Sequence, residues 1–163
     1  MPWEADFETY AGTRLFIIPL RPGDNTEAAF ETAFASAHEI TITSVPNYRG
    51  REYSTATLSV VSNAHDKTKK GSYSLPTMDW GVQWLPDQAG QIDAAALLGS
   101  YDIAGFAVVD QNEGVSYFSA QVSNFTENGG SSNDARSGTL TLLRQSDTID
   151  AITPVVPTED VTP

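Results

Sequence analysis

The 163-residue chain contains no cysteine. Disulfide scaffolds, thiolate metal sites and thiol nucleophiles are therefore excluded. Basic residues are scarce: 9 Lys and Arg stand against 21 Asp and Glu, a formal net charge of −12. Affinity for phosphates is built from many Lys and Arg contacts, so this balance speaks against a nucleic-acid binder and against docking on anionic lipid. Long apolar runs are missing too. The longest, Ile103–Val109, is interrupted by a glycine and falls far short of the roughly 20 residues that cross a bilayer. The N-terminus, Met-Pro-Trp-Glu-Ala-Asp, is acidic where a secretion signal needs a basic start and an apolar stretch, so no such signal is expected. Histidine is limited to His38 and His65, neither with a second histidine or a cysteine at ligand spacing; a metal site and a cofactor are not expected.

What the chain does have is 15 Ser and 17 Thr, with 12 Gly and 9 Pro. This is the palette of an all-β protein rich in turns. Apolar residues still make up 40% of it, enough for one real core at this length. The pattern divides into an N-terminal arm (1–12), one β-sandwich domain (13–146) and an acidic, proline-containing tail (147–163). In the arm, Trp3, Phe7 and Tyr10 are spaced to share one face of a short helix. Thr13–Leu20 reads as a first strand. Residues 27–38 are ambiguous, with Ala content and Phe30, Phe34 and Ala37 favouring a helix. His38–Ser44 alternates as one strand.

The clearest strand is Thr77–Trp84, which places Met78, Trp80, Val82 and Trp84 on one face. These four are expected to be core; the alternative is a sugar-stacking platform made by Trp80 and Trp84. Asp87 would cap a helix over Gln88–Leu98, with Ile92, Ala95, Ala96 and Gly99 facing the sheet. Ile103–Val109 and Val115–Phe125 form a hairpin across residues 110–114. Gly138–Arg144 is the last strand, and the chain from Asp147 onward should be extended or disordered.

No nucleophile motif, phosphate loop or dinucleotide fingerprint occurs. Among 21 acids a carboxylate pair could fall at glycosidase distance, but nothing singles one out. The chain therefore does not read as an enzyme, although a hydrolase with such a pair is a further alternative. One segment stands apart. Residues 45–71 form a long hairpin-like excursion, and five of the nine bases fall there: Arg49, Arg51, Lys67, Lys69 and Lys70. With only Glu52 and Asp66 as acids the segment is net positive, while the rest of the chain is strongly negative. A solvated loop would explain this. So would a head-to-tail contact in which the excursion lands on the acidic surface of another copy.

The stretch from Lys70 to Ser146 resembles the core of major tail tube proteins of long-tailed, non-contractile, lambda-like bacteriophages. The residues that carry the likeness are a Gly-Ser-Tyr-Ser-Leu strand (71–75) running into Met78–Trp84, then Leu85-Pro86-Asp87-Gln88-Ala89-Gly90-Gln91 and an Ala-Leu helix ending at Leu97-Leu98. The Ile103–Val109/Val115–Phe125 hairpin, the Gly138–Arg144 strand and Thr13–Ile18 complete it. Within that family the chain also resembles the flagellum-targeting Chi-like group. The resemblance implies a β-sandwich with one flanking helix, whose strands join those of neighbours into a barrel. It implies hexameric rings stacked into a tube that threads around a tape-measure protein during assembly and later conducts DNA without binding it. It also implies a place in the virion, after synthesis in the host bacterial cytoplasm. On this reading Trp3, Phe7, Tyr10, Tyr48, Arg49, Arg51, Tyr53, Lys67, Lys69 and Lys70 make contacts between subunits and rings. The alternative is a monomeric carbohydrate-binding module using Trp80 and Trp84. An acidic wall suits a DNA conduit, because it repels the cargo it must let slide.

Overall fold

Alternating and continuous apolar runs divide the chain into strands that differ in how many faces they bury. The computed structural model describes residues 9–18, 26–62, 64–111 and 114–151. The strands and helices among them are β1 (Arg14–Ile18), α1 (Glu27–Phe34), β2 (His38–Ile40), β3 (Ile42–Ser44), β4 (Glu52–Ser59), β5 (Asp66–Ser74), β6 (Met78–Gln83), α2 (Ala89–Leu98), β7 (Ala104–Val109), β8 (Val115–Asn128), β9 (Ser137–Arg144) and β10 (Ile149–Asp150). The fold is all-β, with two helices rather than the single one expected. Residues 27–38, ambiguous by pattern, supply the additional helix; Thr26 caps it by accepting from the Ala29 N–H.

One antiparallel sheet runs in the order β2-β1-β7-β8-β9-β6-β3, with β10 added to β8. The expected single strand over His38–Ser44 is broken at Thr41. Its first half pairs with β1 at one end of the sheet and its second half with β6 at the other. A one-residue link requires the two ends to lie side by side, so the sheet curls back on itself. Thr41 is the fixed corner. Its N–H donates to Gln88 Oε1 (3.1 Å), its hydroxyl accepts from Gln88 Nε2 (2.9 Å), and its carbonyl accepts from the Gln83 N–H (3.0 Å).

The curl encloses the main core. Leu15 and Ile17 of β1, Phe106 and Val108 of β7, Phe118 and Ala120 of β8 and Leu140 and Leu142 of β9 point inward with Met78, Trp80 and Val82 of β6. Alternate residues of β1, β7 and β8 point outward and would be bare, but α1 covers them. Phe30 stacks on Tyr117 with ring centroids 5.4 Å apart, and Phe34 meets Tyr117 edge-on at 5.7 Å. With both faces covered, β7 is buried at every residue, which explains why it holds no polar side chain. Trp84 lies beyond the end of β6, half-buried, packed on Phe125 at 5.1 Å and against Gly138, where a Cβ would lie 2.8 Å from its ring.

Helix α2 differs from expectation in its start and its facing. Gln88, not Asp87, occupies the cap position and makes no side-chain cap bond, because its amide is committed to Thr41. Gly90, Gln91 and Ala94 are buried, whereas Ile92, Ala95, Ala96 and Gly99 face solvent. Apolarity ranks Ile92 first, but the sheet end selects otherwise. A Cβ at residue 90 would lie 2.4 Å from the Glu39 carbonyl oxygen, so only glycine permits that approach. Gln91 accepts from the Leu85 N–H (3.0 Å) and donates to the Gln83 carbonyl (2.6 Å), satisfying backbone that the turn leaves open.

Two measurements test this packing. Trp80 is fully buried, and Trp80→Ala should cost about 3–5 kcal/mol in urea unfolding; a loss below about 1 kcal/mol would place the ring at the surface. The Tyr117 phenol has its pKa raised from 10.0 to about 12 by burial, with Glu31 and Glu27 adding to the effect. The folded state thus holds this proton more tightly than the unfolded chain. Its stabilisation is complete below about pH 10 and is lost as the pH rises towards 12. Tyr117→Phe should flatten that part of the stability–pH curve; an unchanged slope would contradict the assignment.

Candidate assembly surface

Strands β4 and β5 pair only with each other, in a separate two-stranded sheet. Every residue of both is exposed. The excursion expected over 45–71 is therefore a strand-paired hairpin that runs on to Ser74. The Gly-Ser-Tyr-Ser stretch that was expected to run into the Met78 strand belongs to the hairpin instead. A lone two-stranded sheet is marginal in water, so cross-strand side chains matter.

Tyr53 and Tyr73 face each other with centroids 5.5 Å apart. The Arg51 guanidinium lies 4.2 Å over Tyr73, and the Lys70 ammonium 4.7 Å over Tyr53. Each such exposed cation–ring contact contributes about 0.5–1 kcal/mol. The register shifts between Tyr53 and Thr55, where Gly71 and Ser72 oppose Ser54 alone. This bulge brings Tyr73 onto the face of Lys70. Lys67 and Lys69 project from the opposite face, across from Leu58 and Ala56. The three lysines therefore serve two different surfaces.

The root of the hairpin is clasped by the end of the domain. Arg144, the last residue of β9, is buried, and its guanidinium donates to the carbonyls of Tyr48 (2.6 Å) and Gly50 and to the Thr148 hydroxyl (3.2 Å). Thr148 Oγ1 also donates to the Tyr48 carbonyl. Burial pushes the Arg144 pKa below the ordinary guanidinium value, with Asp147 acting against it and Arg51 reinforcing it. Arg49 pairs with Asp150 (3.0 Å) and donates to Ser116 Oγ (2.8 Å), and Arg51 pairs with Asp147. Exposed ion pairs of this sort contribute at most about 1 kcal/mol, so the buried Arg144 bonds hold the root. Of the segment from Asp147, expected to be extended or disordered, residues 149–150 are extended and join the sheet here. Ile149 and Asp150 pair with Tyr117 and Ser116 of β8.

The expected contact residues thus separate. Tyr48 is buried in the core, its ring 6.0 Å from that of Trp80. It is a packing residue and not part of a contact surface. Burial raises its phenol pKa, and Arg49 opposes that rise. Arg49 and Arg51 are engaged within the chain. Tyr53, Lys67, Lys69 and Lys70 stand on the exposed hairpin, and Tyr10 is exposed elsewhere. Trp3 and Phe7 lie outside the described residues. Met78, Trp80 and Val82 are fully buried, so Trp80 offers no face to a sugar ring and the carbohydrate platform does not exist. Sequence reasoning missed Arg144, Thr148, Asp147 and Asp150. Their signal was a lone arginine ending an apolar strand, followed within six residues by two acids, Asp147 and Asp150.

A second opening lies in the main sheet. β8 is bonded to β7 only as far as Ala120, paired with Ala104, while its pairing with β9 continues to Asn128. Among the described strands none pairs the remaining edge of residues 121–128. No group of three or more His, Asp or Glu that could hold a metal occurs among the described residues. No helix among them is long and apolar enough to cross a membrane.

Replacing Arg144 by Met removes its bonds to the Tyr48 and Gly50 carbonyls and to the Thr148 hydroxyl and should cost about 1–3 kcal/mol. Amide exchange in residues 52–74 should accelerate while that of β6 is unchanged. Equal acceleration in both would show that Arg144 supports the whole fold and not the hairpin root.

No protein-family model matches the sequence, and no curated protein aligns with it. Solved structures do share the fold. A chain of the anti-feeding prophage baseplate, solved with six-fold symmetrisation, superposes with a TM-score of 0.61 at 9% identity, over 85% of this chain and 90% of that one. A chain of the sheath/tube terminator of the PVC extracellular contractile injection system in its extended state gives 0.59 at 14% identity, over 90% and 99%. A chain of the PVC sheath–tube complex in the extended state gives 0.59 at 14% identity, over 91% and 93%. The all-β fold is therefore shared with chains of the anti-feeding prophage baseplate and of the PVC sheath–tube complex.

Proposed function

We propose that this protein is a structural subunit whose identical copies stack into a hollow, tail-like tube, with no catalytic role. The observation that carries the reading is the hairpin of residues 52–74, which buries nothing of its own and places net positive charge on a chain of net charge −12. A hairpin that is paid for by no core of its own is best explained by a partner surface. Complementary charge then sets its register on the next copy. The unpaired edge of β8 gives neighbours in one ring a strand to extend, which closes the sheets and removes an aggregation hazard.

The finer assignments belong to this proposal. Copies form hexameric rings; the rings stack around a tape-measure protein; DNA later slides through without specific binding, repelled by acidic walls. Residues 1–12, with Trp3, Phe7 and Tyr10, act as an arm between subunits. The assembly belongs to a virion made in a bacterial host. Its assignment to a non-contractile, lambda-like tail of the Chi-like group rests on the sequence resemblance; two of the solved structures described above come from a contractile injection system.

Sedimentation of purified protein tests the reading. The wild-type chain should form particles far larger than 17.5 kDa at high concentration. The Lys67→Glu/Lys69→Glu variant, which leaves Lys70 over Tyr53, should remain monomeric with an unchanged unfolding curve. Normal assembly of that variant would remove the hairpin from the contact.

A further inference from the structure

Helix α2 carries apolar residues on both sides, and Asp93 is its only charged residue. A helix without a polar face is ordinarily covered on both sides. Here only one side is covered, by the closed end of the sheet. The other presents Ile92, Ala95, Ala96 and Gly99 at spacings of three and four, so they form one stripe. Ile92 is 53% exposed, and Tyr101, just past the helix, is 94% exposed. The same chain has a second bare apolar set at the tip of its hairpin, where Leu58 is 62% exposed, Val60 38% and Val61 fully exposed. Neither set covers the other within one copy.

Resting on the tube reading, we infer that the α2 stripe is the receiving surface for the hairpin tip of a second copy. Charge favours this occupant. Lys67 and Lys69 project from the same hairpin face as Leu58, and the exposed acids Asp87 and Asp102 flank α2 at its two ends. A basic-rimmed apolar tip therefore meets an acid-rimmed apolar stripe. Because tip and stripe are different surfaces, the contact is head-to-tail, and its repetition propagates an assembly and does not close a symmetric pair. The pairing also accounts for the phasing of α2: the side chains that sequence periodicity marks as most apolar are the ones left for the neighbour.

The absence of cysteine makes the test direct. Val61→Cys and Ala95→Cys, both at exposed positions, are combined in one chain, and concentrated protein is oxidised and run without reductant. The double variant should give a ladder of covalent multimers, and each single variant should give none. Assembled particles without a ladder would overturn this contact while leaving the tube reading intact. A disulfide-linked dimer from Ala95→Cys alone would also overturn it, because α2 would then meet its own copy. If wild-type and variant chains alike stay monomeric at every concentration, the tube reading itself fails.

Discussion

The organisation of this molecule turns on a hairpin that has no core. Strands β4 and β5 are exposed on both faces, so the hydrophobic effect that holds the rest of the chain does nothing for them. Their order comes from a tyrosine pair with two cations laid over it, and from buried hydrogen bonds at the root. Those bonds are directional. Arg144 fixes where the hairpin leaves the body by binding the Tyr48 and Gly50 carbonyls. The body supplies the rigidity, through a sheet curled into a closed end at Thr41 and sealed on its outer face by α1. A stiff body with one fixed projection is what a repeating contact needs, because angular error in each joint accumulates along a stack.

Electrostatics divides the same way. The body is acidic, and the few bases are concentrated in or near the hairpin. Arg49 and Arg51 are used within the chain, to tie the root to Asp150 and Asp147. Lys67, Lys69 and Lys70 carry their charge outward. The bases thus divide between positioning the hairpin and presenting it. Strand alternation divides the outward charges again, with Lys70 joining the tyrosines and Lys67 and Lys69 joining Leu58.

Much of the fold was legible because period and composition report burial on one or two faces. The Met78–Val82 alternation, the β7/β8 hairpin and β9 follow directly from that pattern. The departures have local causes that hydrophobicity does not encode. Thr41 breaks a cleanly alternating run because Gln88 grips it from another element. α2 is rotated because Gly90 is the residue that can approach Glu39 and Gln91 carries the needed hydrogen bonds, so Ile92 is left outside. The short strand β10 forms within a polar, acidic segment because Arg49 and Ser116 receive Asp150 there. Of the expected contact residues, Tyr48 was misplaced because an aromatic beside two arginines looks like a surface feature until its ring is seen against Trp80.

The assembly proposed above depends on the projecting hairpin fitting the acidic body of an identical copy. Negative-stain electron microscopy of the concentrated wild-type protein tests it most directly. Rings or tubes of uniform diameter are expected. Isolated particles of monomer size at every concentration and salt would contradict the claim.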